Sequence, residues 1–218
     1  MPRIIDILLS LLSLLVLLPL FIPIVIILLL TGEHKVFYLQ TRVGYKNKDF
    51  KIIKFATMLS NSANMGSGSL TLKNDPRVLP FGSFLRKTKI NELPQILNII
   101  IGDLSIVGPR PQMQIDFDKY SDEVKRKIYN VRPGLTGIGS IVFRDEESLI
   151  SLAAENENPH DFYKRVISPY KGKLELWYHS HRSVFLDFQL IFITAWAIVN
   201  SETRLYEKWF KDLPKRNF

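Results

Sequence analysis

The most one-sided stretch of the chain lies near its start. Across residues 7–30 no charged side chain occurs, and at about 1.5 Å per residue a helix of that length crosses a hydrocarbon layer about 30 Å thick. The run is too long for the apolar part of a signal peptide, and no small-residue cleavage site follows it. Pro19 sits near its middle and Pro23 comes one turn later; each removes a backbone donor and bends a helix. Basic residues stand on both sides, Arg3 before and Lys35, Arg42, Lys46 and Lys48 after, so a positive-inside bias does not favour opposite faces for the two ends. Two topologies stay open: a straight span, and a helix broken at Pro19 that enters and leaves through one leaflet. The flanking charges weigh toward the second.

Beyond this segment the periods are shorter and mixed. Residues 36–39 and the alternating 50–55 predict strands, with Gly44 allowing a turn between them. Residues 61–72, rich in Ser, Gly and Asn, predict a loop, either plain surface or ordered over a substrate. Asp75 and Pro76 suit a helix start, after which Phe81, Phe84 and Leu85 have the spacing of a core face. From 90 to 101 the apolar positions Ile90, Leu93, Ile96, Leu97, Ile100 and Ile101 form a helical stripe. They leave Asn91, Glu92, Gln95 and Asn98 largely off it, and spacing alone makes Glu92 a solvated residue. Gly102 ends that helix, 104–107 reads as a short strand, and the prolines at 109 and 111 hold Arg110 on a stiff extended support. A surface helix is predicted over 115–131 with Phe117, Tyr120, Val124 and Ile128 on one stripe. A turn-rich loop follows at 132–137, and 156–161 links two further helices. Residues 183–199 are apolar and aromatic but marginal for spanning. Trp209 and Phe210 with Lys211, Lys215 and Arg216 predict an interfacial anchor. The fold class is α+β: a membrane helix over 1–32, a small mixed domain on the membrane surface over 33–200, and a basic aromatic tail over 201–218.

The 218 residues carry a formal charge of +8 and no cysteine. The charge implies anionic partners such as lipid headgroups, nucleotides or polyprenyl phosphates. The missing thiols exclude a disulfide framework and thiolate metal sites. Nucleic acid is disfavoured because no RNA- or DNA-binding module signature is present. Candidate chemistry concentrates between 86 and 111, where Arg86, Lys87 and Lys89, the Asn91-Glu92 pair, Asp103 and Arg110 occur together. Arginine on a rigid support suits bidentate phosphate binding.

Residues 86–95 (RKTKINELPQ) and 102–111 (GDLSIVGPRP) closely resemble the signature of the monotopic phosphoglycosyl transferases. These bacterial sugar transferases start lipid-linked glycan assembly, and their usual runs are Arg-Lys-Thr-Ser-Leu-Asp-Glu-Leu-Pro-Gln and Gly-Asp-Met-Ser-Leu-Val-Gly-Pro-Arg-Pro. Gln40, Arg42 and Gly44 match a Gln-x-Arg-x-Gly motif. Lys54, Phe55, Thr57 and Met58 match Lys-Phe-x-Thr-Met. Residues 132–137 match a further motif, and Arg144 falls where the family places an arginine used on the nucleotide. The resemblance extends from Asp6 to about Trp196. It implies transfer of a sugar 1-phosphate from a UDP-sugar to a polyprenyl phosphate with Mg2+ through a carboxylate-phosphosugar intermediate. It also implies a re-entrant helix broken at Pro19, on the cytoplasmic face of the bacterial inner membrane among its lipids; a homodimer stays open. By the same resemblance Lys54, Arg86, Arg110, Arg132 and Arg144 bind phosphate or nucleotide, while Asn91 and Glu92 are catalytic and hold the metal.

One departure bears on mechanism. The family nucleophile is the Asp of an Asp-Glu pair, and here that position is Asn91. A carboxamide is a poor nucleophile at phosphorus and a weaker ligand for a hard cation than a carboxylate. Glu92 then takes over attack or metal binding, or transfer is direct with Glu92 as base, or the chain is a membrane-bound member that binds substrate or scaffolds partner glycosyltransferases without turnover. The bland alternatives are a headgroup anchor for Arg42, an exposed strand lysine for Lys54, and a salt bridge from Arg144 to the acids that follow it.

Overall fold

The computed structural model describes the chain except Ser67, Ser69 and Ser201, and it leaves the side chain of Ala63 undescribed. The loop expected over 61–72 and the tail expected from 201 therefore each include positions outside the described residues. In chain order the elements are α1 (Arg3–Leu30), β1 (Phe37–Val43), β2 (Asp49–Phe55), α2 (Pro80–Lys87), α3 (Gln95–Ile101), β3 (Ser105–Val107), α4 (Gln114–Phe117) and α5 (Asp122–Lys127), then β4 (Gly134–Thr136), α6 (Ile138–Val142), α7 (Glu146–Ala153), α8 (Pro159–Phe162), α9 (Ser168–His181), α10 (Val184–Val199) and α11 (Leu205–Trp209). The mixture is the α+β class that the sequence predicts.

Both ends of α1 dock on the rest of the chain. Near its start the Arg3 guanidinium donates to the carbonyls of Ile100 at 3.0 Å and Leu104 at 3.4 Å. The buried Asp6 carboxylate accepts from the Ser105 hydroxyl at 2.9 Å and from the Ile106 amide at 2.9 Å. Near its other end Ile24 and Leu28 join a core cluster with Phe55 and Leu85, and Phe21 meets Phe55 edge-on with centroids 5.4 Å apart. Between these clasps Leu11, Leu12, Leu15 and Val16 are exposed. They form a bare apolar surface along the middle of a helix long and apolar enough to cross a membrane.

β1 and β2 form an antiparallel hairpin with Phe37 opposite Phe55 and Val43 opposite Asp49. β3 and β4 pair in parallel, so 132–137 is not only the loop that its Pro and Gly content predicts: residues 134–136 extend to supply β4. The largest core cluster gathers Val107, Ile138, Val142, Ile167, Leu174, Leu190 and Ile193 from β3, α6, the turn before α9, α9 and α10. A second holds Phe117, Tyr120, Val124 and Ile128, the stripe expected of 115–131, although the backbone there is divided into α4, α5 and a 3-10 turn.

Several local expectations change. Asp75 does not cap a helix; α2 begins at Pro80, because Asp75 is committed to a bidentate pair with the Arg77 guanidinium. Phe84 and Ile101, expected in the core, are 53% and 68% exposed, whereas Asn91, Gln95 and Asn98, expected outside it, are buried. Asn98 explains the reversal: its Oδ1 accepts from the Ile53 amide at 2.9 Å and its Nδ2 donates to the Lys51 carbonyl at 2.8 Å. The polar face of α3 thus satisfies the free edge of β2 and must turn inward. The tail folds back on the domain rather than standing free as an anchor, with Phe210 and Leu213 buried in the largest cluster.

Candidate active site

The site is built where α2 hands over to α3. Lys89 adopts a left-handed conformation (φ 60°) that turns the chain sharply into the Ile90–Glu92 3-10 turn, an arrangement that is sterically uncommon for a residue with a Cβ. Pro94 sits at the N-cap of α3 and Gly102, at φ 114°, ends it. This places Glu92 opposite β2. Its Oε1 accepts from the Lys54 ammonium at 3.2 Å and from the Arg110 guanidinium at 2.7 Å.

The support for Arg110 is extensive. The buried Tyr129 hydroxyl donates to the Arg110 carbonyl and accepts from the Gln112 amide, both at 2.9 Å. The Gly134 amide donates to the Pro109 carbonyl at 2.9 Å and the Gly108 amide to the Thr136 carbonyl at 3.0 Å. Arg42 donates from Nη1 to the Pro111 carbonyl at 3.2 Å while its Nε and Nη2 hold Gln40 Oε1. The two prolines fix the backbone and these bonds fix its place, so Arg110 is preorganised.

The electrostatics follow from this packing. Burial pushes the Glu92 carboxyl up, but the charges of Arg110 and Lys54 and the bond from Arg110 outweigh it, and the group titrates well below the usual carboxylate range. Burial lowers Lys54 to about 8, opposed by Glu92 and assisted by Arg110 and Arg42. Glu92 raises Arg110 against its burial, while burial and then Arg110 lower Arg42. Lys54 and Arg110 therefore flank the ionised Glu92, with Arg42 close enough to act on both cations, and two cations against one carboxylate leave a surplus of positive charge that suits a diphosphate. Beside Glu92, Asn91 is 6% exposed and its Oδ1 has no hydrogen-bond partner. An orphaned buried acceptor of this kind is uncommon in a finished interior.

Of the residues predicted for the site, Lys54, Glu92 and Arg110 come together, Asn91 is buried next to Glu92 in the chain, and Lys54 and Arg42 are engaged there rather than on a free strand face. Arg86 points elsewhere, with Nη2 2.6 Å from Glu147 and Nη1 3.7 Å from the Met58 sulfur. Arg132 donates to the Gly102 carbonyl at 2.9 Å and lies over the Tyr45 ring at 5.3 Å. With Asp6, Ser105 and Arg182 it lines a separate polar cavity of about 460 Å³. Arg144 is partly buried, which lowers its pKa, and the described residues offer its guanidinium neither an ion pair nor a hydrogen bond. The acids after it are engaged elsewhere: Asp145 with Arg216 at 3.0 Å, Glu146 with Lys171 at 2.6 Å and Glu147 with Arg86. Beneath Arg110 lies a further acid that the sequence reading does not single out, Glu175 on α9. Burial raises its carboxyl to about 8 against the Arg110 backbone amide and the charges of Lys171 and Arg110. Nothing in a helix sequence distinguishes such a residue from the solvated acids around it.

Residues 1–201 match the bacterial sugar transferase family, and the chain belongs to that family. The exopolysaccharide production protein PSS of Rhizobium leguminosarum bv. phaseoli is 31% identical over 200 residues, covering 89% of this chain and 93% of the relative. The UDP-N-acetylgalactosamine-undecaprenyl-phosphate N-acetylgalactosaminephosphotransferase of Aeromonas hydrophila is 32% identical, over 89% of this chain and 42% of the relative. The UDP-glucose:undecaprenyl-phosphate glucose-1-phosphate transferase of Xanthomonas campestris pv. campestris is 30% identical, over 91% of this chain and 38% of the relative. The chain thus spans less than half the length of the last two.

Proposed function

We propose that the chain is a membrane-associated enzyme that transfers a sugar 1-phosphate from a UDP-sugar to a polyprenyl phosphate and releases UMP, in exopolysaccharide or related glycan assembly. The observation that carries this reading is the ionised Glu92 held between Lys54 and Arg110 in a chain of this family. Relatives are named for transfer of phosphosugars to undecaprenyl phosphate, which supports the acceptor class. In the net reaction an acceptor phosphate oxygen becomes bonded to the phosphorus that bears the sugar, and the bond from that phosphorus to the oxygen of UMP breaks. Lys54 and Arg110 neutralise the crowded phosphates and hold them in line.

The charges of Arg110 and Lys54 keep Glu92 ionised, and a carboxylate lowered in this way is a weak general base. In our reading it is the anionic centre that keeps the two cations in register and presents a carboxylate to the metal or to phosphorus. The residues fit Mg2+: the free Asn91 Oδ1 and the Glu92 carboxylate are hard oxygen donors. Among the described residues no three His, Cys, Asp or Glu side chains gather as a metal cage, so substrate oxygens and water would complete the coordination. When bound, Mg2+ supplies charge neutralisation on the diphosphate. α1 runs as one helix past Pro19 and Pro23, and its clasping at both ends onto one domain supports a segment that stays with one leaflet, since a straight span would carry one end about 30 Å away. We place the domain on the cytoplasmic face, where UDP-sugars are made.

A second reading, a member that binds substrate without turnover, is favoured by Asn91 in the place of the family's nucleophilic Asp. A screen of UDP-sugars for UMP release, with and without polyprenyl phosphate, separates the two. Acceptor-dependent release supports the transferase. Background release throughout, restored by Asn91→Asp, supports the binder.

A further inference from the structure

An apolar cavity of about 240 Å³ lies between the end of α1, the segment after β2 and the start of α2, lined by Leu28, Ala56, Met58, Leu79, Pro80 and Phe81. Protein interiors leave few voids larger than a water molecule, and apolar voids of this order stay dry and accept apolar guests. α2 cannot close the space by moving nearer: a Cβ at Gly82 would run into the Thr57 carbonyl oxygen, so the helix already rests on residues 56–58. Two contacts tie the cavity to the site. Ala56 follows Lys54 by two residues, at most about 7 Å along the chain. Leu28 and Phe81 share a cluster with Phe55 and with Ile90, the first residue of the turn that carries Glu92. Beside Leu28 on α1, Ile27 and Leu30 are exposed and extend the apolar surface of that helix. An occupant that fills both places has an apolar chain beside the membrane helix and an anionic end at Lys54 and Arg110, which is the chemistry of a prenyl phosphate and not of a UDP-sugar.

We propose that this cavity holds the isoprene unit next to the phosphate of the polyprenyl acceptor, and that Ala56 sets its depth. The methyl branch of that unit fills a compact space that a straight alkyl chain leaves partly empty, and the lost contacts count against the straight chain. The acceptor is thus read by its first isoprene rather than by its length. Ala56 contacts no phosphate and is a specificity-determining residue. The inference rests on the polyprenyl phosphate reading of the site.

The test is binding of neryl phosphate, two isoprene units on one phosphate, to the detergent-solubilised full chain, measured by calorimetry beside octyl phosphate, which has the same main chain without branches. Wild type should bind neryl phosphate about fivefold more tightly than octyl phosphate, the weight of one buried methyl group. Ala56→Leu, which fills the cavity from its wall, should weaken neryl phosphate about tenfold, the weight of roughly two methylene groups left in water, and should abolish the preference over octyl phosphate. Ala56→Val adds less volume at the same place and should fall between. Thermal unfolding of each variant reports whether it is folded, and the smaller substitution keeps the comparison if the larger one is not. Neryl phosphate binding that neither substitution changes, or octyl phosphate bound by wild type as tightly as neryl phosphate, overturns the cavity assignment while leaving the polyprenyl phosphate reading intact. A wild-type chain that binds neither neryl phosphate nor undecaprenyl phosphate overturns both.

Discussion

Two of the arginine-carboxylate pairs, Arg77 with Asp75 and Arg110 with Glu92, differ in how completely they are satisfied. Arg77 and Asp75 are both buried, and Arg77 donates not only to Asp75 but to the carbonyls of Ser62, Met65, Gly68 and Leu70. Every direction of the guanidinium fork is used by the protein itself. That centre shapes the loop before α2 and has little capacity left for a ligand. The Glu92 centre is less closed: Lys54 and Arg110 share one carboxylate, the Arg110 side chain is 34% exposed, and among the described residues the neighbouring Asn91 Oδ1 has no partner. A closed network stabilises a fold, whereas one left with surplus positive charge is prepared for an anion.

This contrast can be broken most severely at the closed centre. Arg77→Ala strands the Asp75 charge and the loop carbonyls together, and chemical denaturation should show a loss of about 3–5 kcal/mol. A loss below about 1 kcal/mol would mean that the network is solvated and carries little weight. At the open centre Arg110→Lys should leave the denaturation midpoint nearly unchanged and reduce transfer about a hundredfold, because an ammonium cannot reproduce the fork that grips two oxygens. Equal effects on stability at both sites would erase the distinction.

A smaller effect sharpens the role of Lys54. Its ammonium, lowered to about 8 by burial, is protonated below that pH and lost above it, so transfer should decline as pH rises through about 8. Lys54→Arg keeps its charge throughout and should move the falling limb of the pH-rate profile to higher pH. A limb that stays in place assigns the titration to another group.

Much of this was legible in the chain before any coordinates. The apolar run and the hairpin alternation are local patterns that the structure realises, although α1 continues as one helix through Pro19 and Pro23 and the Pro109-Arg110-Pro111 support is completed by Tyr129 and β4. The burial of Asn91, Gln95 and Asn98 was not legible, since a polar residue off an apolar stripe is expected in water; for Asn98 the edge of β2 brought against α3 makes the inward amide favourable. The partners of Arg86 and Asp145 were hidden for a related reason. Glu147 pairs with Arg86 across 61 positions and Asp145 with Arg216 across 71, so an acid beside Arg144 in sequence is not its partner in space. The family motif named residue types at the site, and packing decides which of them face one another.

The most direct measurement is UMP release by purified Glu92→Gln beside wild type, with the UDP-sugar that the screen identifies and polyprenyl phosphate as acceptor. Held between Lys54 and Arg110, Glu92 is the anionic centre of the site, and its neutral isostere should show no acceptor-dependent release while remaining folded. Turnover by Glu92→Gln close to wild type would remove Glu92 from the chemistry and contradict the account.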